Sequence, residues 1–191
     1  TPMIRSSPEK LKKTLILLVC LAIAFTAVSC GGQSKQGQDG SGSVYEVMGK
    51  EFQVRGCTFN VTKLTKSVDI RAIKKDGTTD SPLWPEQGFF YLLEMEIKPG
   101  ETPTFQPKFT RYEIVDVDGN RYYETKNEMA IQVAEKNLGV KSLTKIKDDI
   151  TKPVKCFLLM DCQQNMKGVT LEIISTASDP EQRLAVVDLK E

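Results

Sequence analysis

From residue 44 onward, the chain is dominated by short segments in which apolar and polar residues alternate. Successive side chains of a β-strand point to opposite faces, so this alternation predicts strands with one buried face. Seven short segments carry the pattern or a continuous apolar version of it: 57–62, 89–97, 112–117, 121–124, 154–162, 169–174 and 184–189. Seven short strands separated by turns predict a mostly β fold, and a β-sandwich in particular.

Two of these segments are apolar on both faces. Segment 154–162 is apolar on both faces over most of its length, which predicts a central strand. Segment 89–97 begins in the same way and then alternates, so we expect it to run from the centre of a sheet towards an edge or end. After 112–117, the dipeptide Asp118-Gly119 predicts a hairpin turn, because glycine tolerates positive φ.

One helix is predicted between the strands. Thr125 and Glu128 have the spacing of a capping box, in which each side chain satisfies a free backbone donor of the other residue. Apolar side chains then follow at helical spacing on one side: Met129, Ala130, Val133 and Ala134. Gly139 is the expected end of the helix. We expect this helix to dock on the sandwich, and the alternative is a loop with a chance capping box.

The first thirty residues have the features of an export signal. A basic start is followed by an apolar run from Leu15 to Val28. This run is shorter than the ~20 residues that a membrane-spanning helix needs. A basic start, a short apolar middle and small residues at the exit are typical of a signal peptide, here 1–29.

The exit of this segment, Ala27-Val28-Ser29-Cys30, resembles the lipobox of bacterial lipoproteins. The resemblance implies cleavage between Ser29 and Cys30 and attachment of acyl chains, including palmitate, at Cys30. The lipobox prefers leucine where this chain has Ala27, so plain secretion and a retained anchor are the alternatives. Residues 30–43 are rich in Gly, Ser and Gln, which predicts a flexible linker to one domain at 44–191.

Charge and composition exclude several functions. The whole chain has 26 basic and 25 acidic residues, and residues 1–29 contain four of the bases and one of the acids, which leaves 22 and 24. This near-neutral balance argues against a nucleic-acid partner. The chain has no histidine, which excludes the Ser-His-Asp triad, His-paired cysteine nucleophiles and His-bearing zinc sites. We therefore predict no enzyme, no catalytic residues, no metal site and no cofactor.

Three cysteines fall in the predicted domain: Cys57, Cys156 and Cys162. If 154–162 is one strand, Cys156 and Cys162 lie about 20 Å apart. A disulfide needs Cα atoms within about 7 Å, so any bridge must use Cys57, with either partner open. The alternative is three buried thiols that act as small apolar residues.

Two loops invite a binding interpretation. Trp84 lies between two prolines, which argues against a central strand, in a long connection from 74 to 88. Such loops often carry function, and Trp84 could contact a carbohydrate or peptide ligand. The alternative is that Trp84 packs onto the core. Residues 116–120 look like part of a calcium loop but lack its later ligands, so we favour a hairpin turn.

The order and spacing of several motifs resemble a known family. These motifs are Gly49-Lys50-Glu51-Phe52 followed by 59–62, the strand 90–97, the Asp-Val-Asp-Gly hairpin in 112–122, and the strand that begins at Lys152-Pro153. Together they resemble the telokin-like, immunoprotective-antigen-like extracellular domain of bacterial lipoproteins over 50–191. The family is mostly of unknown function and has no catalytic residues.

The resemblance implies an immunoglobulin-like β-sandwich with one short helix. With the lipobox, it implies a lipid-anchored cell-envelope protein whose domain lies on the extracytoplasmic side. We expect a non-enzymatic role in protein interaction or envelope structure. The alternative is a tethered carbohydrate- or solute-binding module that uses the Trp84 loop. In both cases the partners are the membrane, through the N-terminal anchor, and an unknown protein or glycan.

Overall fold

The computed structural model describes residues 43–190. The predictions for the signal peptide, Cys30 and all but the last residue of the linker lie outside these residues. Ten strands and one α-helix follow one another in this order: β1 Val44–Val47, β2 Glu51–Val54, β3 Cys57–Ser67, β4 Gly88–Pro99, β5 Thr110–Val115, β6 Arg121–Tyr122, α1 Glu128–Leu138, β7 Lys141–Ser142, β8 Val154–Gln163, β9 Thr170–Ser175 and β10 Gln182–Asp188. Short 3-10 helices occupy Pro107–Phe109 and Leu143–Lys145. No helix among residues 43–190 is long and apolar enough to cross a membrane.

The strands form two sheets, and their order is that of an immunoglobulin-like sandwich. One sheet has the order β1-β10-β9-β5-β6, and the other has the order β2-β3-β4-β8-β7. If β3 is taken as the first strand of the immunoglobulin pattern, β3-β4-β8-β7 corresponds to its ABED sheet and β10-β9-β5 to its GFC sheet. β1 and β2 are additions at the edges, and β1 runs parallel to β10. The predicted mostly β fold, a β-sandwich with one short helix, is confirmed. β7 runs parallel to β8, which departs from the antiparallel sheets of the immunoglobulin pattern.

The core between the sheets explains the period-two pattern. Cys57, Phe59 and Val61 of β3 are fully buried, and the polar residues between them are not. Tyr112 and Ile114 of β5 face them from the opposite sheet, in the same apolar cluster. Each Å² of apolar area removed from water contributes ~25 cal/mol to stability. Because the apolar residues of each strand lie on one face, that face turns inwards.

A second apolar cluster lies on the outer face of the β2-β3-β4-β8-β7 sheet. Phe90, Phe157 and Leu159 point outwards there and are covered by Ala130, Ile131 and Ala134 of α1. This explains why β4 and β8 are apolar on both faces. β8 is central, as predicted, between β4 and β7.

Of the two alternatives for β4, an approach to an edge of the sheet is wrong, because β4 is the middle strand of its sheet. It pairs with both β3 and β8 from Phe90 to Ile97. Its later part alternates because α1 does not cover that part of the outer face. There, Glu94 and Glu96 form ion pairs with Lys63 and Lys155 at 2.9 and 3.1 Å.

The predicted helix is confirmed, but its capping box is wrong. The N-cap is Asn127, whose side-chain oxygen accepts a hydrogen bond from the backbone N–H of Ala130 at 3.1 Å. Thr125 instead accepts from the Asn127 N–H at 3.2 Å and lies two residues before the N-cap. Met129 is 61% exposed, and Ile131 takes its predicted place on the buried side. Gly139 ends the helix in the left-handed conformation, as predicted.

The strand registers define two ends of the sandwich. At the loop end lie the connection 68–87 between β3 and β4, the hairpin turn 116–120 and the turn 164–169 between β8 and β9. At the opposite end β4 and β9 finish while β5, β8 and β10 begin. The Ser43 hydroxyl donates to the carbonyl of Arg183 there, at 2.7 Å. We call this the tether end, because Ser43, the first described residue, lies there.

Candidate functional site

Trp84 lies in the connection 68–87, here called the insert, and its side chain is 58% exposed. The alternative in which Trp84 packs onto the core is therefore wrong. Two prolines flank it, and its neighbour Leu83 packs against the outer apolar cluster. The chain therefore partly buries Leu83 and leaves the larger side chain of Trp84 mostly in solvent.

The insert is fastened to the sandwich although it contains no long strand. Ile70 and Leu83 exchange two backbone hydrogen bonds of 2.9 Å and pack against the outer cluster. Asn137 of α1 donates to the Arg71 carbonyl at 2.8 Å and accepts from the Ile73 N–H at 3.3 Å. These contacts give a 20-residue surface connection a defined position, which loops of this length usually lack.

Asp161 holds the C-terminal part of the insert. Its carboxylate is 6% exposed and accepts hydrogen bonds from the backbone N–H groups of Glu86 and Gln87 at 2.8 and 3.0 Å. Such charge-assisted bonds are about twice as strong as neutral ones. Asp161 occupies an outward position of β8, in line with Phe157 and Leu159. It thereby fixes the backbone two and three residues after Trp84.

Sequence reasoning missed Asp161, although a signal was present. A single carboxylate in a strand that is otherwise apolar on both faces must find donors when it is buried. The segment 154–162 shows this pattern. The pattern does not reveal the donors, which lie about 75 positions earlier in the chain.

The hairpin turn 116–120 is confirmed, and its polar groups are used locally. Asp116 accepts hydrogen bonds from the backbone N–H groups of Asp118 and Asn120 at 3.0 and 2.9 Å, and from the Asn120 side chain at 2.9 Å. These bonds, with that from the Asn120 side chain the largest cause, lower the pKa of Asp116. Within residues 43–190, no group of three or more Cys, Asp or Glu side chains is placed to hold a metal ion.

Two clefts open at the loop end, on either side of the turn 164–169. One, of about 360 Å³, is lined by apolar and basic side chains: Lys66, Phe89, Tyr91, Asn165, Met166 and Lys167. The other, of about 250 Å³, lies between this turn and the hairpin 116–120. The Val117 N–H donates to the Lys167 carbonyl at 2.9 Å, which joins the two loops. The loop end thus presents three connections on one rigid scaffold.

Glu113 and Glu172 lie directly opposite each other on the outer face of the β1-β10-β9-β5-β6 sheet. Their exposures are 1% and 6%, but both are paired with arginines. Arg121 contacts both carboxylates, Arg111 contacts Glu113, and Arg183 contacts Glu172 at 3.1 Å. Hydrogen bonds to Glu113 and then Glu172 raise the pKa of Arg121. The arginine stems cover the carboxylates and neutralise them, which is a structural arrangement.

All three cysteines of the domain are buried free thiols. Cys57 lies opposite Pro99 and Cys156 opposite Met95, so they are four residues apart along the sheet and two strands apart across it. This places their Cα atoms about 16 Å apart, too far for a disulfide. Cys162 is farther from Cys57 still, so the option of a Cys57 bridge is wrong in this fold. Burial raises the pKa of the Cys156 thiol to about 12.

The predicted site residues therefore do not form one site. Trp84 lies on the surface near the loop end, and Cys57, Cys156 and Cys162 lie inside the sandwich. Cys30 and the cleavage site at Ser29 lie outside the described residues. Comparisons with protein families, with curated proteins and with solved structures gave no match to this chain. The resemblance to the telokin-like family stays a prediction that depends on the quoted motifs alone.

Proposed function

We propose that this chain is a lipid-anchored protein of the bacterial cell envelope whose sandwich binds a protein partner through the insert. Anchoring is supported by the signal-like segment 1–29, the lipobox at Ala27 to Cys30 and the polar linker that follows. The same features support a location on the extracytoplasmic side. The telokin-like resemblance supports a domain of this kind in such a protein.

The observation that carries the binding proposal is the exposure of Trp84 on a fastened insert. Complete burial of an aromatic side chain removes about 150–250 Å² from water, and more than half of this area remains exposed at Trp84. Tryptophan is also enriched among the residues that dominate binding energy. A preformed loop also loses little conformational entropy on binding. The contacts of Asp161 and Asn137 supply that preorganisation here.

The position of the tether supports the same proposal. Ser43 joins the sandwich at the tether end, and the insert begins and ends at the loop end. A linker attached at the opposite end leaves the loop end free to meet a partner. A linker of about 13 residues has a root-mean-square length of only about 20 Å, so the domain would stay near the membrane surface.

We propose no catalytic role for the domain. The closest carboxylate pair that the strand register identifies, Glu113 and Glu172, is occupied by arginines. General acid–base catalysis by two carboxylates needs one of them free to carry a proton. The thiols are buried, and burial raises the pKa of Cys57 and Cys156, which disfavours a thiolate nucleophile.

Anchoring is tested by metabolic labelling with an alkyne-bearing palmitate in bacteria that express the whole chain. The parent chain is expected to take up label and the Cys30→Ala variant to take up none. A Cys57→Ala variant is the matched control, since it removes a buried cysteine of the domain. Equal labelling of parent and Cys30→Ala chains would contradict the proposed lipidation.

A tethered carbohydrate-binding module is the second candidate, and the exposed indole of Trp84 also favours it, because sugar rings stack on aromatic faces. Trp84 is the sole tryptophan of the chain, so its fluorescence reports binding at this position without a label. Titration with envelope glycans is expected to change the emission if this candidate is right. Unchanged emission together with unchanged glycan retention in Trp84→Ala would reject it.

A further inference from the structure

A basic cleft of about 730 Å³ lies where the C-terminal end of α1 meets the start of β8. It shares no lining residue with the loop-end clefts. Asn137, which bonds the insert at Arg71 and Ile73, is the sequence neighbour of its lining residue Lys136. Nine residues line it, and four of them are lysines: Glu135, Lys136, Gly139, Val140, Lys141, Lys145, Pro153, Val154 and Lys155. Glu135 is the one acidic residue among these nine.

Half of the lysines in this cleft are neutralised by partners. Lys145 lies 3.4 and 3.3 Å from the carboxylates of Glu128 and Glu135, and Lys155 lies 3.1 Å from that of Glu96. Lys136 and Lys141 are exposed, and neither forms an ion pair with another of the residues 43–190. The cleft therefore presents two ammonium groups that nothing in the described part of the chain neutralises.

The helix dipole explains only part of this arrangement. The C-terminus of α1 carries partial negative charge, which favours a lysine in the last turn such as Lys136. Lys141 and Lys155 lie on β7 and β8 and gain nothing comparable from the helix. Two elements, α1 through Lys136 and β7 through Lys141, thus bring positive charge without an ion-pair partner in the described residues to one concave surface. Such an arrangement can recognise an anion.

The cleft lies towards the tether end of the sandwich. Val154 begins β8 and pairs with Ile97 near the end of β4. Ser43 joins the start of β10, and β8 and β10 begin at the same end because the short turn 164–169 joins β8 to β9. The end at which the linker arrives therefore also carries the lysine cleft.

We propose that this cleft binds the phosphate groups of anionic phospholipids in the membrane to which the chain is anchored. The inference rests on the proposed lipid anchor, since a linker of about 20 Å keeps the domain at the bilayer. Ammonium groups bind phosphate as point charges, and anionic leaflets attract basic residues within a Debye length. Net charge does not predict this interaction, because it averages the cleft with acidic surfaces elsewhere.

The test measures vesicle binding of a chain that comprises residues 31–191. This chain lacks Cys30, so no lipid anchor contributes, and it keeps every strand of both sheets. Co-sedimentation is compared between vesicles of phosphatidylcholine and vesicles with phosphatidylglycerol added. We expect binding to the anionic vesicles alone, and we expect Lys136→Gln with Lys141→Gln to weaken it about tenfold or more.

A second pair of substitutions controls for net charge. Lys50→Gln with Lys190→Gln removes two exposed lysines outside the cleft and should leave binding within about twofold. Equal losses in both double variants would overturn the proposal, as would equal binding to neutral and anionic vesicles. Full competition by millimolar inorganic phosphate would also overturn it, because the site would then bind free phosphate. The labelling of Cys30 is independent of this result, so the two proposals can fail separately.

Discussion

The contact between Asp161 and the insert gives the sharpest prediction about the candidate binding surface. We expect Asp161→Asn to release the C-terminal part of the insert while the sandwich stays folded. The asparagine keeps one oxygen acceptor for the two N–H groups of Glu86 and Gln87, and it points an NH2 group at the other one. One charge-assisted hydrogen bond is lost, and one backbone donor is left beside another donor.

The magnitude follows from these two bonds. A hydrogen bond to a charged group contributes about 1.5–3 kcal/mol, and an unsatisfied buried donor costs about 1–3 kcal/mol. Since part of this cost is relieved when the insert opens to water, we expect the free energy of local opening to fall by about 2–3 kcal/mol. This corresponds to about 30- to 150-fold faster amide exchange at Glu86 and Gln87. The global free energy of unfolding should fall by no more than the same amount.

Native-state hydrogen exchange measured by NMR checks this prediction residue by residue. The fluorescence anisotropy of Trp84 offers a second readout, and we expect it to fall as the insert gains motion. Asp188→Asn is the matched control, because Asp188 is an exposed carboxylate at the loop end. If the Glu86 and Gln87 amides exchange at parent rates in Asp161→Asn, the carboxylate does not hold the insert and the reasoning is wrong.

Three further predictions follow from buried groups. A chain of residues 31–191, unfolded without reductant, should show three thiols with Ellman's reagent. The folded chain should react only as it unfolds, because the thiols are buried and burial raises the pKa of Cys156 to about 12. Fewer than three thiols would mean that a disulfide is present after all. Glu113→Gln should lower the free energy of unfolding, measured in urea, by about 1–3 kcal/mol. This is the cost of breaking a buried ion pair, reduced because the arginine partners are about 40% exposed. An unchanged free energy of unfolding would mean that this pairing does not stabilise the fold. Burial raises the pKa of Glu124, which favours its protonated form in the folded state. The parent should therefore lose stability relative to Glu124→Gln as the pH rises from about 4 to 7. If the free energies of unfolding of the two chains change in parallel with pH, this prediction is wrong.

The sandwich could be predicted because its information is local. Each alternating segment specifies its own buried face, as Cys57, Phe59 and Val61 do in β3. The pattern of β4 does not reveal its place in the sheet, because the pattern reflects what covers the outer face of the strand. That cover is Ile131 and its neighbours in α1, which lie about 40 residues later in the chain. A strand's own sequence cannot distinguish a neighbouring strand from a covering helix.

The candidate site could be predicted less well, because it depends on distant pairings. Trp84 was recognised from its prolines, but its exposure depends on which neighbour packs on the outer cluster, and that neighbour is Leu83. The sequence does not locate the N-cap, because Thr125 and Asn127 are both good capping residues. The backbone of Tyr123 and Thr125 hydrogen-bonds to β8, and the helix begins after this pairing, with Asn127 as its N-cap. The disulfide question was open until the register between β3, β4 and β8 was known.

The central claim is that the insert meets a partner while the domain is tethered at its other end. The most direct test places a photoreactive phenylalanine analogue at Trp84 in one chain and at Phe109 in another, in living bacteria. Phe109 is 42% exposed and precedes β5 at the tether end, so it matches Trp84 in accessibility but not in position. We predict a discrete cross-linked protein from position 84 and none of the same mass from position 109. The same adducts from both positions, or none from position 84, would contradict the claim.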